Sequence, residues 1–250
     1  MKIEFLGDGP ALVIENGQRV LVVADPHFGI EADLAAHGLH FKSHSTERLK
    51  RLLRTIDTAK ADALILLGDI KHSIPSLTRQ EFSEMPGIFE ALRSRIPIKV
   101  FLGNHDIGIE RFLSAGELQP KEGAVIDGVG YLHGHTYPSA ALSGHLIVCG
   151  HHHPMVCLYD DVGCSLQAPA YLRAGIDTVA LGIDDTKSDT PARVLFMPAF
   201  NEIAGYDILQ ITRDPFSPLS RCMATEDAEI ILADGTYIGS LRSLEHDDTG

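Results

Sequence analysis

The stretch Ile98-Lys99-Val100-Phe101-Leu102-Gly103-Asn104-His105-Asp106 indicates how this chain folds and where its chemistry lies. The largely apolar run at its start is typical of a buried strand. Gly103 then permits a sharp turn, and an amide, an imidazole and a carboxylate follow in three consecutive positions. Open α/β sheets bind ligands at the carboxyl ends of their strands. Taken alone, however, the tetrapeptide is better explained as a polar turn with a buried histidine.

Other apolar runs in this chain end in the same kinds of side chain. These further strand-end groups are Asp25/His27, Asp69, His133 and His151/His153. Each group by itself has an ordinary structural explanation, such as a turn aspartate beside a core histidine, a helix-capping aspartate or a solvated loop. Their joint occurrence favours one shared site at the ends of several strands.

Length and composition predict a single globular domain over residues 1–244, with residues 245–250 as a frayed tail. The chain has 250 residues, of which 44% are hydrophobic and 22% are charged. We find no signal-peptide pattern at the start and no apolar run that approaches the roughly 18 residues of a membrane span. We therefore expect a soluble, cytoplasmic protein that does not associate with membranes.

The formal net charge of −13 argues against a broad basic surface for nucleic acid, because such binding relies on lysine and arginine. The pattern leaves the oligomeric state open. The four cysteines lack C-x-x-C spacing and are predicted to be reduced thiols rather than disulfides or metal ligands. They are Cys149, Cys157, Cys164 and Cys222.

The first half of the chain alternates strands with helices, which predicts a largely parallel sheet. Asn16-Gly17 favours a tight hairpin before the strand that delivers Asp25. Helical spacing of leucines predicts a helix over residues 45–59. Thr78 and Glu81 form a capping-box pattern that opens a second helix, which we expect Pro86 to interrupt or restart.

The second half predicts short strands around an Asp127-Gly128 turn and then a second, mostly antiparallel sheet that starts at residue 155 and ends with a hairpin at Asp234-Gly235. Short strands are expected at residues 125–126, 129–132, 146–149, 155–158, 178–181 and 194–197. Two of these strands end at His133 and at the His151 group.

The donor atoms at the five strand ends indicate which metals could bind. They comprise carboxylates, an amide oxygen and several imidazoles without a thiolate, a set that suits manganese, iron, zinc or nickel. There are too many ligands for one ion, so we expect two metals roughly 3.5–4 Å apart, bridged by a carboxylate and a hydroxide. Phosphoester hydrolysis is the reaction that such a pair serves.

In this order, the blocks D-x-H, G-D, G-N-H-D, H and G-H-x-H resemble the calcineurin-like metallophosphoesterase superfamily. Local similarity at residues 68–72, 150–154 and 198–201 resembles its archaeal SbcD-related (ICC-like) phosphoesterase branch. The resemblance implies a four-layer αββα sandwich of two mixed β-sheets flanked by helices. It also implies a cofactor of two divalent metal ions, for which manganese is the first expectation.

Residue by residue, the resemblance implies one metal bound by Asp25, His27, Asp69 and His153. It implies a second metal bound by Asp69, Asn104, His133 and His151, so that Asp69 bridges the two. His105 would then protonate or stabilise the leaving oxygen, with Asp106 orienting its ring. His135 competes with His133 for the fourth block, and we favour His133 because it directly follows its strand.

Outside the blocks, Lys71 and His72 are candidate substrate-binding residues, although an exposed polar turn explains them almost as well. His37, His40 and His44 are interpreted as surface-loop histidines. The expected function is hydrolysis of a phosphodiester by a metal-activated hydroxide, nuclease-like on DNA or another nucleic acid. Two alternatives stay open: a small-molecule phosphatase or nucleotide pyrophosphatase, which the acidic surface favours, and a scaffold without catalysis.

Overall fold

In the computed structural model of the chain, residues 1–36, 38, 43–159, 165–183 and 192–247 are described. They form two mixed β-sheets that face each other and carry helices on their outer sides. This confirms the predicted four-layer αββα class.

The first sheet has six strands in the order in which they occur along the chain. They are β1 (Lys2–Leu6), β2 (Ala11–Glu15), β3 (Arg19–Ala24), β4 (Ala63–Leu67), β5 (Ile98–Phe101) and β6 (Leu118–Gln119). The first three strands pair antiparallel, and β3 to β6 pair parallel. The hairpin predicted at Asn16-Gly17 joins β2 to β3, with Glu15 paired to Arg19.

Three helices accompany this sheet: α1 (Ile30–Ala36), α2 (Ser45–Ala59) and α3 (Arg79–Arg93). The bounds of α2 are those predicted. The capping box of Thr78 and Glu81 is confirmed at the start of α3. The expected break at Pro86 is wrong, since α3 continues through it. Pro86 lies on the exposed side of the helix, while Met85 and Phe89 are fully buried and hold the helix to the sheet.

The second sheet has nine strands. They are β7 (Ala124–Ile126), β8 (Val129–Leu132), β9 (Leu146–Cys149), β10 (Pro154–Tyr159), β11 (Ser165–Ile176), β12 (Arg193–Phe196), β13 (Tyr206–Asp207), β14 (Met223–Leu232) and β15 (Tyr237–Ser240). Most pairs are antiparallel, as predicted, but β9 pairs parallel with both β8 and β12, and β10 pairs parallel with β13. The predicted turn at Asp127-Gly128 and the predicted hairpin at Asp234-Gly235 are both present.

The strand predicted at residues 178–181 is wrong, because this segment is a turn. The carboxylate of Asp177 accepts a hydrogen bond of 2.9 Å from Ala180 N, and its carbonyl accepts one of 3.1 Å from Leu181 N. Aspartate commonly closes a turn in this way, and the apolar residues that follow do not reach a neighbouring strand.

Three short helices complete the outer layer: α4 (Ile208–Arg213), α5 (Pro218–Arg221) and α6 (Leu241–Asp247). Helix α6 extends past the predicted domain boundary at residue 244. Cys149, Cys157 and Cys222 are free thiols, whereas Cys164 lies outside the described residues. Among the described helices, none combines the length and the apolar character that crossing a membrane requires.

Alternating side chains fill the space on both faces of the first sheet. In β3, Leu21 and Val23 pack toward the helices, whereas Val22 and Ala24 pack between the two sheets. Strands β3, β4 and β5 end at the same edge because they run parallel. Strands β8 and β9 of the second sheet also run parallel to each other and end at this edge.

Candidate metal centre

The predicted ligands lie at the carboxyl ends of these strands in an unusual backbone conformation. Among the described residues, seven other than glycine have a positive φ, and five of these seven are predicted ligands. The five are Asp25, His27, Asp69, His151 and His153. Such a conformation costs free energy in an L-amino acid, and it persists where surrounding contacts impose it. Here Asp25 N and His27 N donate to the carbonyls of Gly68 and Asp69, at 3.2 and 2.9 Å.

One group of side chains combines Asp25, His27, Asp69 and His153, with one ligand atom from each lying within 4.8 Å of the others. His27 Nε2 is 3.3 Å from His153 Nε2 and 3.8 Å from Asp69 Oδ2. His153 Nε2 is 3.4 Å from Asp25 Oδ1. The four residues predicted to bind the first metal therefore converge on one point.

A second group combines Asp69, His133 and His151, and it shares Asp69 with the first. His133 Nε2 is 3.5 Å from Asp69 Oδ1 and 3.2 Å from Asn104 Oδ1. His133 Nδ1 lies 2.9 Å from the carbonyl of Leu67. Because a carbonyl only accepts, Nδ1 carries the proton and Nε2 keeps its lone pair toward the group.

His135 lies beside this second group without joining it. Its ring centroid is 5.2 Å from that of His133, and it is half-buried, whereas His133 is fully buried. None of the ligand groups among the described residues contains His135. The geometry thus favours His133 for the fourth block, as the sequence does, and its role as a ligand stays a prediction.

Burial keeps several of these imidazoles neutral. Burial lowers the pKa of His133 to about 4, although the nearby carboxylate of Asp25 acts in the opposite direction. Burial and the neighbouring His153 hold the pKa of His27 well below its usual value. Burial and His133 likewise lower the pKa of His151. Neutral imidazole is the form that binds metals.

The surroundings of the Asp25 carboxylate indicate whether a cation fits the candidate metal centre. Asp25 is fully buried, and among the described residues its Oδ1 has no hydrogen-bond partner. Its Oδ2 accepts from His151 N at 2.9 Å. Leaving a buried carboxylate oxygen unpaired is costly, and a bound cation would remove that cost. Together with the nitrogen and oxygen donors around it, the site therefore fits divalent metal ions.

The carboxylate of Asp106 bonds to backbone N–H groups, and its expected role of orienting His105 stays a prediction. Its Oδ1 accepts hydrogen bonds from Ile70 N and Lys71 N at 2.7 and 3.3 Å, and its Oδ2 accepts from Gly103 N at 2.8 Å. Asp106 therefore connects the loops after β4 and β5 through hydrogen bonds. Burial and the carboxylate of Asp69 raise the pKa of Asp106 to about 7.

The backbone carbonyl of His72 helps to orient the ring of His105. His105 Nδ1 contacts this carbonyl directly, and His105 Nε2 lies 3.8 Å from Asp69 Oδ2. The side chain of His105 is 22% exposed, so a substrate can reach it. The predicted catalytic histidine thus faces the residue shared by both ligand groups.

Lys71 and His72 differ in their access to substrate. Lys71 is fully buried, and its Nζ donates to the carbonyl of Ser73, an arrangement that does not favour the predicted contact with substrate. Burial lowers the pKa of Lys71, while the charges of Glu81 and Asp106 oppose that shift. His72 is partly exposed, and its Nδ1 lies 3.3 Å from His27 Nδ1. It therefore stays a candidate for substrate contact.

Of the three loop histidines, His44 is described, and it belongs to none of the ligand groups. His37 and His40 lie outside the described residues. The side chain of His44 is exposed, in line with a surface histidine, and its Nδ1 lies 3.7 Å from Glu202 Oε1.

A buried polar network behind the first ligand block was not anticipated from the sequence. Arg48 in α2 is fully buried, and it contacts His27 O at 3.3 Å, Glu31 at 2.9 Å and Glu202 at 3.0 Å. Asn201 Nδ2 lies 3.2 Å from the carbonyl of Pro26. These contacts hold the backbone that carries His27. One signal was available, since Arg48 lies one turn before buried Leu52 on the apolar face of α2.

Comparison with known proteins agrees with this geometry. The model of the family described as calcineurin-like phosphoesterase matches residues 18–169, a range that contains all the predicted ligands. No curated protein matches the chain. Among solved structures, the crystal structure of Pseudomonas putida nuclease MPE is similar, with a TM-score of 0.57 and 20% identity. The match covers 96% of this chain and 94% of that one, and at this identity it concerns the fold alone.

Proposed function

The chain belongs to the calcineurin-like phosphoesterase family and is a hydrolase of phosphoester bonds, and from this premise we propose that it cleaves phosphodiesters with two divalent metal ions. Among the described residues there are three ligand groups, and the third combines His27, His72 and His105. The observation that carries the proposal is that Asp69 belongs to the two groups that contain carboxylates and lies beside His105. One of these two groups would hold the first metal, and the other with Asn104 would hold the second.

When bound, the two cations, expected to be manganese with iron, zinc or nickel as alternatives, would activate water and offset charge on the phosphate. The protein's own contribution is a fixed set of buried donors. Asp25 and Asp69 are the two carboxylates, and both are almost fully buried. Their negative charges therefore act in a site from which water is largely excluded.

His105 is proposed as the group that places a proton on the leaving oxygen. Its Nδ1 donates to the carbonyl of His72, and in the doubly protonated imidazolium the second proton lies on Nε2, the atom directed at the site. An alcohol leaves a phosphodiester poorly unless it is protonated or its charge is stabilised, and a positioned histidine serves that need. This role favours a diester whose leaving group is an alkoxide, as in nucleic acids.

Two substrate classes follow, and each has a supporting observation. The similar fold of a protein described as a nuclease favours nucleic acid. The formal net charge of −13 favours a small phosphate compound, either a phosphomonoester or a nucleotide with a pyrophosphate bond. Diesterase activity on nucleic acid is our first proposal, and a small-molecule phosphatase or nucleotide pyrophosphatase is the second.

A hydrolysis panel with added manganese tests these proposals. It compares 4-nitrophenyl phosphate, bis(4-nitrophenyl) phosphate, nucleotides, and single- and double-stranded DNA. We expect turnover of the diesters, with the monoester slower. Turnover of the monoester or of nucleotides alone would favour the second proposal. No turnover of any phosphoester would contradict both.

Three variants connect the activity to the site. Asp69→Asn and His105→Ala should each lower kcat for DNA hydrolysis by about 10²–10⁴-fold, and both variants should stay folded. The first removes the shared ligand, and the second removes the proton donor. His145→Ala is the matched control, since His145 Nδ1 bonds the carbonyl of Gly128 away from the site. Full turnover by Asp69→Asn or His105→Ala would refute the assigned roles.

A further inference from the structure

An open cleft of about 390 Å³ lies next to the candidate metal centre. One wall consists of the segment before α3 and the first turn of that helix, with Leu77, Arg79 and Phe82. The other wall comes from the loop after β5, with Ile107 and Arg111. Both segments follow strands whose carboxyl ends carry the site, so the cleft is at the same edge of the molecule.

The cleft is close to the leaving-group side of the site. Ile107 follows His105 by two residues, which places their Cα atoms within about 7 Å. The two walls also contact each other, since a Cβ placed on Gly108 would lie 3.2 Å from Leu77 Cδ1. The carbonyl of His72, which precedes the first wall, holds the ring of His105. A substrate whose leaving oxygen meets His105 therefore has room to extend toward this cleft.

Two positive charges face solvent here in a chain that is otherwise acidic. Arg79 and Arg111 are exposed, and within the described part of the chain neither guanidinium forms a hydrogen bond or an ion pair. By contrast, Arg93 and Arg95 are paired with carboxylates at 2.7 and 2.6 Å. The nearby Glu110 accepts a hydrogen bond from Gly108 N at 3.0 Å. Two unpaired guanidiniums at one cleft favour an anionic ligand.

The same cleft exposes apolar surface. Phe82 is 54% exposed and Ile107 is 55% exposed. The ring of Phe82 packs edge-to-face against Phe112, with centroids 5.9 Å apart, which limits its motion. Exposed aromatic and aliphatic side chains beside unpaired arginines are the combination on which bases of unpaired nucleic-acid strands stack.

We propose that this cleft binds the leaving-group side of a single-stranded nucleic acid, a proposal that rests on the phosphodiesterase function above. The base next to the cleaved bond packs on Phe82 and Ile107, and the following phosphate contacts Arg79 and Arg111. A base has to leave its stack to enter such a cleft, so a paired duplex fits it poorly.

The test compares two diesters that differ in whether a second phosphate follows the cleaved bond on its leaving-group side. A single-stranded oligonucleotide has one, and bis(4-nitrophenyl) phosphate does not. In the manganese-loaded full chain, Arg79→Ala/Arg111→Ala should lower kcat/KM for the oligonucleotide by about tenfold or more. The same variant should stay within about twofold of the unsubstituted chain on bis(4-nitrophenyl) phosphate. The control, Arg54→Ala/Arg95→Ala, removes equal charge outside the cleft and should leave both values unchanged.

A binding measurement gives a second readout. Fluorescence anisotropy of a labelled oligonucleotide, with EDTA and then with manganese, should show weaker binding by Arg79→Ala/Arg111→Ala. The slope of log K against log salt should fall by about 0.7 per arginine removed. Phe82→Ala should weaken binding by about fivefold or more, while the exposed Tyr237→Ala should not.

The outcomes separate the two proposals. A chain that cleaves no diester but binds the oligonucleotide through Arg79 and Arg111 contradicts the proposed activity and keeps the cleft. A chain that cleaves both diesters but loses neither turnover nor affinity in the arginine variant overturns the cleft. Equal losses on both diesters would also overturn it, because the arginines would then act on the metal centre.

Discussion

At Gly103, the loop after β5 lies directly against Asp69 in the loop after β4. A Cβ at this position would overlap Asp69 Oδ1 and would lie 2.5 Å from Asp69 N. Gly103 N also donates to Asp106 Oδ2 at 2.8 Å, and His105 N donates to Asp69 Oδ1 at 2.9 Å. The absence of a side chain at 103 thus lets the backbone of one loop fix the shared carboxylate of the other.

Gly103→Ala is therefore expected to displace the Asp69 carboxylate and to lower diester hydrolysis by about 100-fold, since small misplacements of catalytic groups are costly. Gly87→Ala is the matched control. Gly87 lies in α3 with open space around it, and alanine there should stabilise the fold by about 0.5–1 kcal/mol. Thermal melts and initial rates measure both effects. An unchanged rate for Gly103→Ala would show that Asp69 tolerates the shift.

At the scale of the element, the start of α3 organises the loop that leads to the site. Glu81 Oε2 accepts from Thr78 N at 2.7 Å and closes the capping box. Its Oε1 accepts from Ser73 N at 2.8 Å and from His72 N at 3.1 Å. One carboxylate therefore holds both the helix end and the segment whose carbonyl orients His105. The capping box predicted from sequence is also a connection to the site.

Stability should depend on pH through Glu81. Burial alone would raise its pKa, but hydrogen bonds from the backbone of Ser73 and Thr78 outweigh burial and lower its pKa below the ordinary value of 4.5. Because the folded pKa is the lower one, the ionised carboxylate stabilises the fold above about pH 4.5, and this contribution is lost as pH falls through the folded pKa.

Glu81→Gln should lower the free energy of unfolding by about 1–3 kcal/mol at pH 7, and the difference from the unsubstituted chain should narrow below pH 4.5. Denaturant unfolding between pH 3 and 7 measures this difference in the free energy of unfolding. Glu90→Gln, on the exposed side of the same helix, is the control. A difference that stays constant across this range would contradict the role assigned to the ionised Glu81.

At the scale of the whole molecule, the two sheets meet at the candidate metal centre. The first sheet supplies Asp25, Asp69 and the residues beside them, and the second supplies His133 and the His151 group. Bound cations would connect the two sheets and stabilise only the folded chain, because the ligands are far apart in sequence. Stability and metal content should therefore change together.

Manganese at about 100 times its dissociation constant should raise the free energy of unfolding by about 2.7 kcal/mol relative to EDTA, and Tm should rise with it. His133→Ala should lose most of this rise, whereas His135→Ala should keep it, because only His133 belongs to a ligand group. Calorimetry with and without manganese measures the shift. Equal losses in the two variants would leave no basis for choosing His133.

Local patterns predicted much of the fold and the site. The strand-end blocks were found because each pairs a buried strand with donors a few residues away, as at Asp25 and Asn104. Helix α2 and the capping box of α3 are similarly local. The contacts of Arg48 with Glu202 and of Asn201 with Pro26 join residues 154 and 175 positions apart, and no short-range pattern encodes them.

The sequence by itself determined the kind of site, because donor types and their order after strands are properties of short segments. Only the tertiary structure decided which atoms meet. It placed Asp106 on backbone N–H groups, buried Lys71, and opened a cleft between two loops beside the leaving-group histidine. These outcomes depend on how the loops of parallel strands pack against one another, and such packing is set by contacts between distant parts of the chain.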